Sequence, residues 1–234
     1  MIASGPTVAD PTTFSDAQEI LKKYEIDQIL SSSVREFIED GVRGNHSETV
    51  KMGASIIRKN RNVIVGSLNV AIQAASSVAN ELGFCTRILT MEMNGEARDQ
   101  GANLARQLRD HIRKNQNRRK PVCFIAGGET TVTLSGKGKG GRNQEFALAA
   151  AIELNGTGNC AVVAFATDGE DGPTDAAGAI ITGATVKEGI RKGLDAQEFL
   201  NNNDSYHYFE AMDLLIKSGP TGTNVNDIVL LFAF

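Results

Sequence analysis

The feature that most constrains the fold is a regular alternation of apolar β-branched runs and helical segments, which begins at Asn62. The run NVIVGS (62–67) predicts a strand, and residues 68–83 predict a helix that ends at a glycine. TRILT (86–90) and residues 95–114 repeat the same order. Strands and helices that alternate with short connections are typical of parallel α/β architecture.

The alternation resumes after Pro121 with different turns. PVCFIAGG (121–128) predicts a buried strand, TTVTL (130–134) a second strand, and residues 143–154 a helix. CAVVAFATDG (160–169) predicts a long apolar strand that ends at an acidic loop. The remaining pattern predicts a short strand over 178–183, helices over 185–193 and 205–219, and a closing strand over 226–234.

The start of the chain predicts two further helices, over 15–24 and 34–40, the second ended by Gly41. A basic tract, RKNQNRRK (113–120), separates the two alternating series and is followed by Pro121. We therefore predict domains 1–118 and 119–234. The predicted fold class is α/β, with three-layer α/β/α sandwiches and mostly parallel or mixed sheets.

Charge and composition exclude several kinds of partner. The net charge is −4 and the basic tract contains no aromatic residue, so we expect no nucleic-acid partner. The sequence contains no stretch of about 18 apolar residues, so we expect no membrane partner. Cys85, Cys123 and Cys160 lie far apart in apolar surroundings, which favours reduced thiols and a cytosolic type of environment.

The stretch SGKGKGGRNQEF (135–146) resembles two nucleotide-binding motifs and satisfies neither. A P-loop requires a glycine where Thr131 stands, and a Ser or Thr where Gly138 follows Lys137. GKGKGG (136–141) fits GxGxxG, but lysines fill the gaps and no acidic residue follows at the distance that a ribose contact needs. A dinucleotide fold is therefore not supported by this stretch.

Arg142 stands where the glycines end and an apolar, hence buried, helix begins. Helix N-termini attract anions, and the planar guanidinium of arginine binds carboxylate or phosphate in a bidentate manner. The residues favour a rigid anion site at Arg142. The alternative is that 136–141 form only a turn into the helix, with solvated lysines.

Three loops at predicted strand ends are rich in Gly, Thr and Asp, namely residues 126–131, 167–175 and 218–224. Ligands of open α/β sheets bind beyond the carboxyl ends of strands. Asp168 and Asp171 form a candidate Mg²⁺ site, since Mg²⁺ prefers a few carboxylates together with waters and phosphate oxygens. The alternative for Asp171 and Asp175 is that their side chains cap turns and the next helix.

Long segments resemble the type II glycerate kinases and their C-terminal MOFRL domain. The resemblance is carried by GGETTVTLSGKGKGGRNQEFALAAA, ATDGEDGPTDAAGAIITG and NNDSYHYFEAMDLLIKSGPTGTNVNDIVLL. IASGPTVADPTTF and the region from VIVGSLNVAIQAA to ILTMEMNGEAR are similar to the latter part of the family's N-terminal domain. Domain 1–118 would then be an incomplete N-terminal domain and 119–234 the MOFRL domain.

The resemblance implies a transfer of the γ-phosphoryl group of ATP, with Mg²⁺, to D-glycerate in a cytoplasmic or mitochondrial enzyme. The family favours 2-phosphoglycerate as the product, and phosphorylation of the 3-hydroxyl is the alternative. Arg142 and Asp168 would be catalytic, Arg142 by neutralising charge in the transition state. Asp168, with Asp171, would serve the metal. Further substrate- or phosphate-binding candidates are Glu129, Thr130, Lys137, Asn143, Glu145, Ser4 and Gly5.

Family members are nearly twice as long, and one active-site lysine of the family lies in the part without a counterpart here. We expect this chain alone to lack full kinase activity, and we expect pairing either with the missing N-terminal half or with a second copy. Two other functions stay open: an NAD(P)-dependent hydroxypyruvate reductase, a name also used in this family, and a non-catalytic fragment that binds a ligand or a partner.

Overall fold

The computed structural model describes residues 7–115 and 120–234, and the chain divides into two units between Val65 and Gly66. Unit 1 is Met1–Val65 and unit 2 is Gly66–Phe234. The described residues contain no helix that is long and apolar enough to cross a membrane. Ser4 and Gly5, two of the predicted site residues, lie outside the described residues.

Unit 1 contains the two helices that the sequence predicts, α1 (Phe14–Lys23) and α2 (Ser32–Val42), followed by a single 3-10 turn, Ile57–Lys59. Thr13 begins α1 with a capping box, because its side chain accepts from the N–H of Asp16 while Asp16 accepts from the N–H of Thr13. Among the described residues of unit 1, only Gly41 is buried. The described part of unit 1 therefore contains no buried apolar side chain.

The predicted strand over 62–67 is wrong. These residues form neither strand nor helix, and the side chains of Val63, Ile64 and Val65 are exposed. Their β-branched composition has the propensity for a strand, but a strand also requires a partner for its backbone N–H and C=O groups. No described segment of unit 1 supplies one.

Unit 2 is built on one six-stranded mixed sheet, which confirms the α/β fold class. The strand order is β1-β2-β6-β3-β4-β5. The strands are β1 (Cys85–Met93), β2 (Val122–Gly128), β3 (Cys160–Ala166), β4 (Gly178–Thr182), β5 (Leu215–Ile216) and β6 (Asp227–Ala233). Only β1 and β2 are parallel neighbours, because β6 enters between β2 and β3 and is antiparallel to both.

Helices cover the two faces of the sheet unequally. The helices of unit 2 are α3 (Leu68–Glu81), α4 (Ala97–Lys114), α5 (Arg142–Glu153), α6 (Thr185–Arg191), α7 (Ala196–Asn201) and α8 (Ser205–Met212). Cys123 and Ile125 of β2 join Ile72 of α3 in a small core on one face. Phe124 and the other alternate residues of β2 join the large core on the opposite face, with α4, α5, α7 and α8. Unit 2 thus has three layers.

Two elements differ from the prediction after Gly128. Residues 130–134 form no strand, and only a bridge from Thr131 to Glu96 remains. The helix predicted over 205–219 ends at Met212, because Asp213 adopts a left-handed conformation and the chain then forms β5. Helix α7 was not predicted from the sequence pattern.

The predicted boundary at 118–121 falls between two neighbouring strands of one sheet. β1 precedes this boundary and β2 follows it, and the two strands pair in parallel, beginning with Cys85 opposite Val122. The compact units divide instead at Val65, because β1, α4 and the later strands share the large core. The domains 1–118 and 119–234 stay a prediction about the organisation of the family.

Candidate functional site

The loops rich in Gly, Thr and Asp meet at one edge of the sheet. The ladder pairs Gly128, at the end of β2, with both Met93 of β1 and Asp227 of β6. It also pairs Asp227 with Ala166, the last residue of β3. The carboxyl ends of β1, β2 and β3 therefore lie side by side with the first residue of β6. Sheet register brings together the three loops that were singled out in the sequence.

Arg142, the first residue of α5, lies at this edge between two carboxylates. Its Nε and Nη2 donate to the two carboxylate oxygens of Asp227 at 2.5 and 3.2 Å, a bidentate pair. Its Nη1 donates to Glu129 Oε1 at 3.0 Å. Burial tends to lower the pKa of Arg142, but the hydrogen bond and charge of Asp227 outweigh burial and the pKa is raised. The guanidinium is therefore a permanent cation in a fixed orientation.

The buried carboxylate of Asp171 caps the N-terminus of α5. Its Oδ1 accepts from the N–H and the side-chain amide of Asn143, at 3.1 and 3.2 Å, and its Oδ2 accepts from the N–H of Gln144 at 2.9 Å. A Cβ on Gly141 would lie 2.3 Å from Asp171 Cγ, so the capping carboxylate requires glycine there. Asp171 therefore caps a helix, as the alternative had it, but this helix is the preceding α5 and not the next one along the chain.

A second buried carboxylate, Glu145, holds the first turn of α5 from another direction. It is 2% exposed, and its Oε1 lies 2.7 Å from Arg98 Nη2. Its Oε2 accepts from the side-chain amide of Asn203 at 2.9 Å. Asn143 and Glu145, which were predicted to bind ligand, therefore use their side chains to position the start of α5. Arg98 and Asn203 were not predicted from the sequence.

The glycine-rich loop is tied to residues 202–204, which precede α8. Five consecutive backbone N–H groups donate to this segment. The pairs are Ser135 and Gly136 with Asn203 Oδ1, Lys137 with Asn202 Oδ1, Gly138 with the Asn202 carbonyl and Lys139 with Asp204 Oδ1, at 2.8 to 3.1 Å. These N–H groups are therefore satisfied within the protein, and they do not form a phosphate cradle.

The same contact explains why glycines alternate with lysines. A Cβ on Gly136, Gly138 or Gly140 would approach within 2.2 to 2.3 Å of atoms of residues 202–205. Gly136 and Gly138 approach main-chain and Cβ atoms, so glycine is needed at both positions, whereas Gly140 approaches only the hydroxyl of Ser205. Lys137 is exposed, and the Lys139 ammonium lies 4.2 Å from the centre of the Tyr206 ring. The alternation thus reflects backbone packing.

Asp168 joins the acidic loop to the loop before β6. Its Oδ2 accepts from the side-chain amide of Asn224 at 2.8 Å, and its Oδ1 accepts from the N–H of Glu170 at 3.2 Å. The hydroxyl of Thr221 adds a bond to the carbonyl of Thr167 at 2.7 Å. Asp168 is half-buried, in contrast to the fully buried Asp171.

A cavity of about 740 Å³ lies beside Arg142. Its lining includes Glu129, Thr130, Arg142, Glu145 and Asn203. Four of the predicted ligand-binding residues therefore share one cavity. Lys137, Asn143, Asp168 and Asp171 are not part of that lining.

The predicted pair of metal ligands fits a metal only in part. In the described part of the chain, no three His, Cys, Asp or Glu side chains cluster in a way that could hold a metal ion. Both oxygens of Asp171 accept hydrogen bonds from α5, and the residue is 1% exposed, so Asp171 does not fit as a ligand. Asp168 fits as a single carboxylate ligand, which suffices where waters and phosphate oxygens complete the coordination of Mg²⁺.

The family models and the relatives that match this chain agree with one another. The MOFRL family model matches residues 122–227, and a model described as a domain of unknown function (DUF4147) matches residues 1–39. A glycerate 2-kinase from Pyrococcus horikoshii is 43% identical over 230 residues, which are 98% of this chain and 51% of the relative. A glycerate kinase from Macaca fascicularis is 33% identical over 275 residues, covering 99% of this chain and 68% of the relative.

A solved structure supports the same relationship. The crystal structure of glycerate kinase from Thermotoga maritima matches with a TM-score of 0.82 and 38% identity, over 99% of this chain and 53% of that one. The chain spans about half the length of the Pyrococcus and Thermotoga relatives.

Protonation of Asp171 should make stability depend on pH. Burial raises the pKa of Asp171 from 3.8 to about 6, although the hydrogen bonds from Gln144 and Asn143 lower it. The folded state then takes up a proton between pH 4 and 6 that the unfolded state does not hold. The stability of the wild type relative to Asp171→Asn should fall by up to about 3 kcal/mol as the pH rises through this window. Urea unfolding of both proteins from pH 4 to 7 measures the difference in their free energies of unfolding. A difference that stays constant over this range would contradict the prediction.

Asn203 should stabilise the fold through its side chain. Asn203→Gly keeps the left-handed backbone (φ 52°) but removes the acceptor for Ser135 and Gly136 and the donor to Glu145. The free energy of unfolding should fall by roughly 2–4 kcal/mol, since buried polar groups lose their partners. Asn159→Gly is a matched control, because Asn159 is also left-handed (φ 54°) but exposed. Equal losses in urea unfolding would show that the Asn203 bonds contribute little.

Proposed function

This chain belongs to the glycerate kinase family that carries the MOFRL domain, and on that premise we propose that it supplies part of an ATP-dependent kinase. The reaction would transfer the γ-phosphoryl group of ATP to D-glycerate and give 2-phosphoglycerate. The observation that carries the proposal is Arg142, a fixed cation that opens onto a cavity at the carboxyl edge of the sheet. Phosphoryl transfer depends on positioning and on charge neutralisation, and a fixed arginine supplies both.

In the proposed site, Arg142 is the catalytic residue that contacts anionic oxygens of the substrate. Two of its five N–H groups remain after the bonds to Asp227 and Glu129. Thr130 lies in the wall of the same cavity. Asn143 and Glu145 act as positioning residues, because their side chains hold the start of α5, although Glu145 also lines the cavity. Lys137, Ser4 and Gly5 stay predicted ligand contacts.

Mg²⁺ belongs to the proposal as the ion that accompanies ATP. Asp168 is the carboxylate of this chain that would hold it, and the bond from Asn224 would orient that carboxylate. A bound Mg²⁺ would supply positive charge to the phosphate oxygens. The cytoplasm is the proposed location, with the mitochondrion as the alternative, and the three unpaired cysteines suit a reducing compartment.

We further propose that unit 1 pairs with a polypeptide equivalent to the part of the relatives that this chain does not span. Unit 1 exposes a continuous β-branched run in which Val63, Ile64 and Val65 are 64%, 74% and 93% accessible. Large exposed apolar surface marks an interaction site, and an extended β-branched run can add to the edge of another sheet. The alternative partner is a second copy of this chain.

Replacement of Arg142 tests the proposed site. Arg142→Ala should weaken the binding of inorganic phosphate or D-glycerate by roughly 1.5–3 kcal/mol, the contribution of a charge-assisted hydrogen bond. Arg142→Lys should recover only part of the lost binding free energy. Unlike the planar guanidinium, the ammonium of lysine cannot hold the bidentate pair with Asp227 while it binds a ligand. Isothermal titration calorimetry measures the affinities. Unchanged affinity in Arg142→Ala would remove Arg142 from the proposed site.

Complementation tests the activity and the pairing together. This chain alone, with ATP, Mg²⁺ and D-glycerate in a coupled assay, should turn over weakly or not at all. Co-expression with the remaining half of the Pyrococcus relative should give a one-to-one complex and restore turnover. Val63→Asp should disrupt that complex, whereas Ile190→Asp, an equally exposed aliphatic position on α6, should not. Full activity of the isolated chain, or a stable homodimer in sedimentation, would contradict the pairing.

A further inference from the structure

The two carboxylates that bind Arg142 are held very differently. Asp227 is 1% exposed, binds the guanidinium through both of its oxygens and is the first residue of β6. The side chain of Glu129 is 55% exposed and binds through one oxygen. Exposed ion pairs contribute little to stability, whereas breaking a buried pair leaves an uncompensated charge. An anion that approaches Arg142 can therefore displace Glu129 and cannot displace Asp227.

The backbone near Glu129 is fixed, so only its side chain is free to move. The N–H of Glu129 donates to the carbonyl of Met93 at 2.8 Å, directly after β2. The preceding Gly128 has φ 151° and packs against Met93 so closely that a Cβ there would lie 2.2 Å from its carbonyl oxygen. Rotation of the Glu129 side chain thus breaks one hydrogen bond and leaves the strand end intact.

Glu129 and the proposed ligand would use the same donor. Glu129 Oε1 accepts from Arg142 Nη1, and both residues line the cavity of about 740 Å³. A substrate carboxylate or a phosphate presents the same kind of oxygen acceptor as Glu129. The negative charge of Glu129 would also repel an anion that binds next to it.

We propose that Glu129 is an internal competitor for Arg142, which sets the affinity of this cavity for anionic ligands and favours their release. The inference rests on the proposed function, since it assumes that Arg142 binds the anionic group of a substrate or product. Asp227 keeps the guanidinium oriented while Glu129 and the ligand exchange on Nη1. Glu129 therefore acts as an affinity-determining residue and not as a ligand contact.

Binding of two probes to the full chain tests the proposal, with inorganic phosphate and D-glycerate measured separately by calorimetry. Glu129→Gln keeps an acceptor oxygen but removes the charge, so it should bind the anion about 3-fold or more tightly than the wild type. The gain should shrink at high salt, because the repulsion is screened. Glu170→Gln is the matched control: it removes an exposed carboxylate outside the cavity lining and should leave the affinity unchanged.

The outcomes separate this inference from the proposed function. Tighter binding in Glu129→Gln alone supports it, and a gain for only one probe identifies whether phosphate or glycerate exchanges with Glu129. Equal or weaker binding in Glu129→Gln overturns the inference, and so does an equal gain in Glu170→Gln. It is also overturned if neither the wild type nor Glu129→Gln binds either probe. Loss of binding in Arg142→Ala, without a gain in Glu129→Gln, would retain the anion site and reject only the competitor. The measurement requires no turnover, so a chain without kinase activity still gives a result.

Discussion

The architecture of the site depends on one interaction, the capping of α5 by the buried carboxylate of Asp171. Helix α5 is buried over most of its length, so its first N–H groups cannot be satisfied by water. Asp171 accepts from two of them and from the side chain of Asn143. This contact places Arg142 at the sheet edge and requires glycine at position 141. The sequence GGRNQ and Asp171, the second aspartate of DGED, therefore form one helix cap.

Buried polar groups around α5 are tolerated because nearly all of them are paired. Glu145 has both Arg98 and Asn203, and Asn203 in turn organises the glycine-rich loop. A network of this kind is stabilising only when it is satisfied throughout, and it then allows a single arrangement. Arg142 consequently projects from the first turn of α5, which several side-chain contacts hold in place. Such preorganisation is what an electrostatic role in phosphoryl transfer requires.

Local sequence patterns predicted most helices and most strands of unit 2, including the start of α5 within one residue, but not α7. They did not predict that β6, the last strand in the chain, enters between β2 and β3, because pairing over such a sequence separation leaves no local signal. For the same reason Asp227 was missed as the partner of Arg142, since 85 residues separate them. The glycine-rich stretch satisfies neither nucleotide-binding motif. Its glycines allow close packing against residues 202–205, which are too far along the chain for a local pattern to reveal.

The charges in the cavity explain why this chain would need further positive charge for catalysis. Among the residues that line it, Arg142 is the one cation, whereas Glu129 and Glu145 both carry carboxylates. Glu145 is balanced by Arg98 and Arg142 by Asp227, so Glu129 leaves this group of side chains with a net negative charge. A triphosphate would be repelled by that charge unless other cations joined it. The Mg²⁺ that accompanies ATP is the source of positive charge consistent with the proposed function.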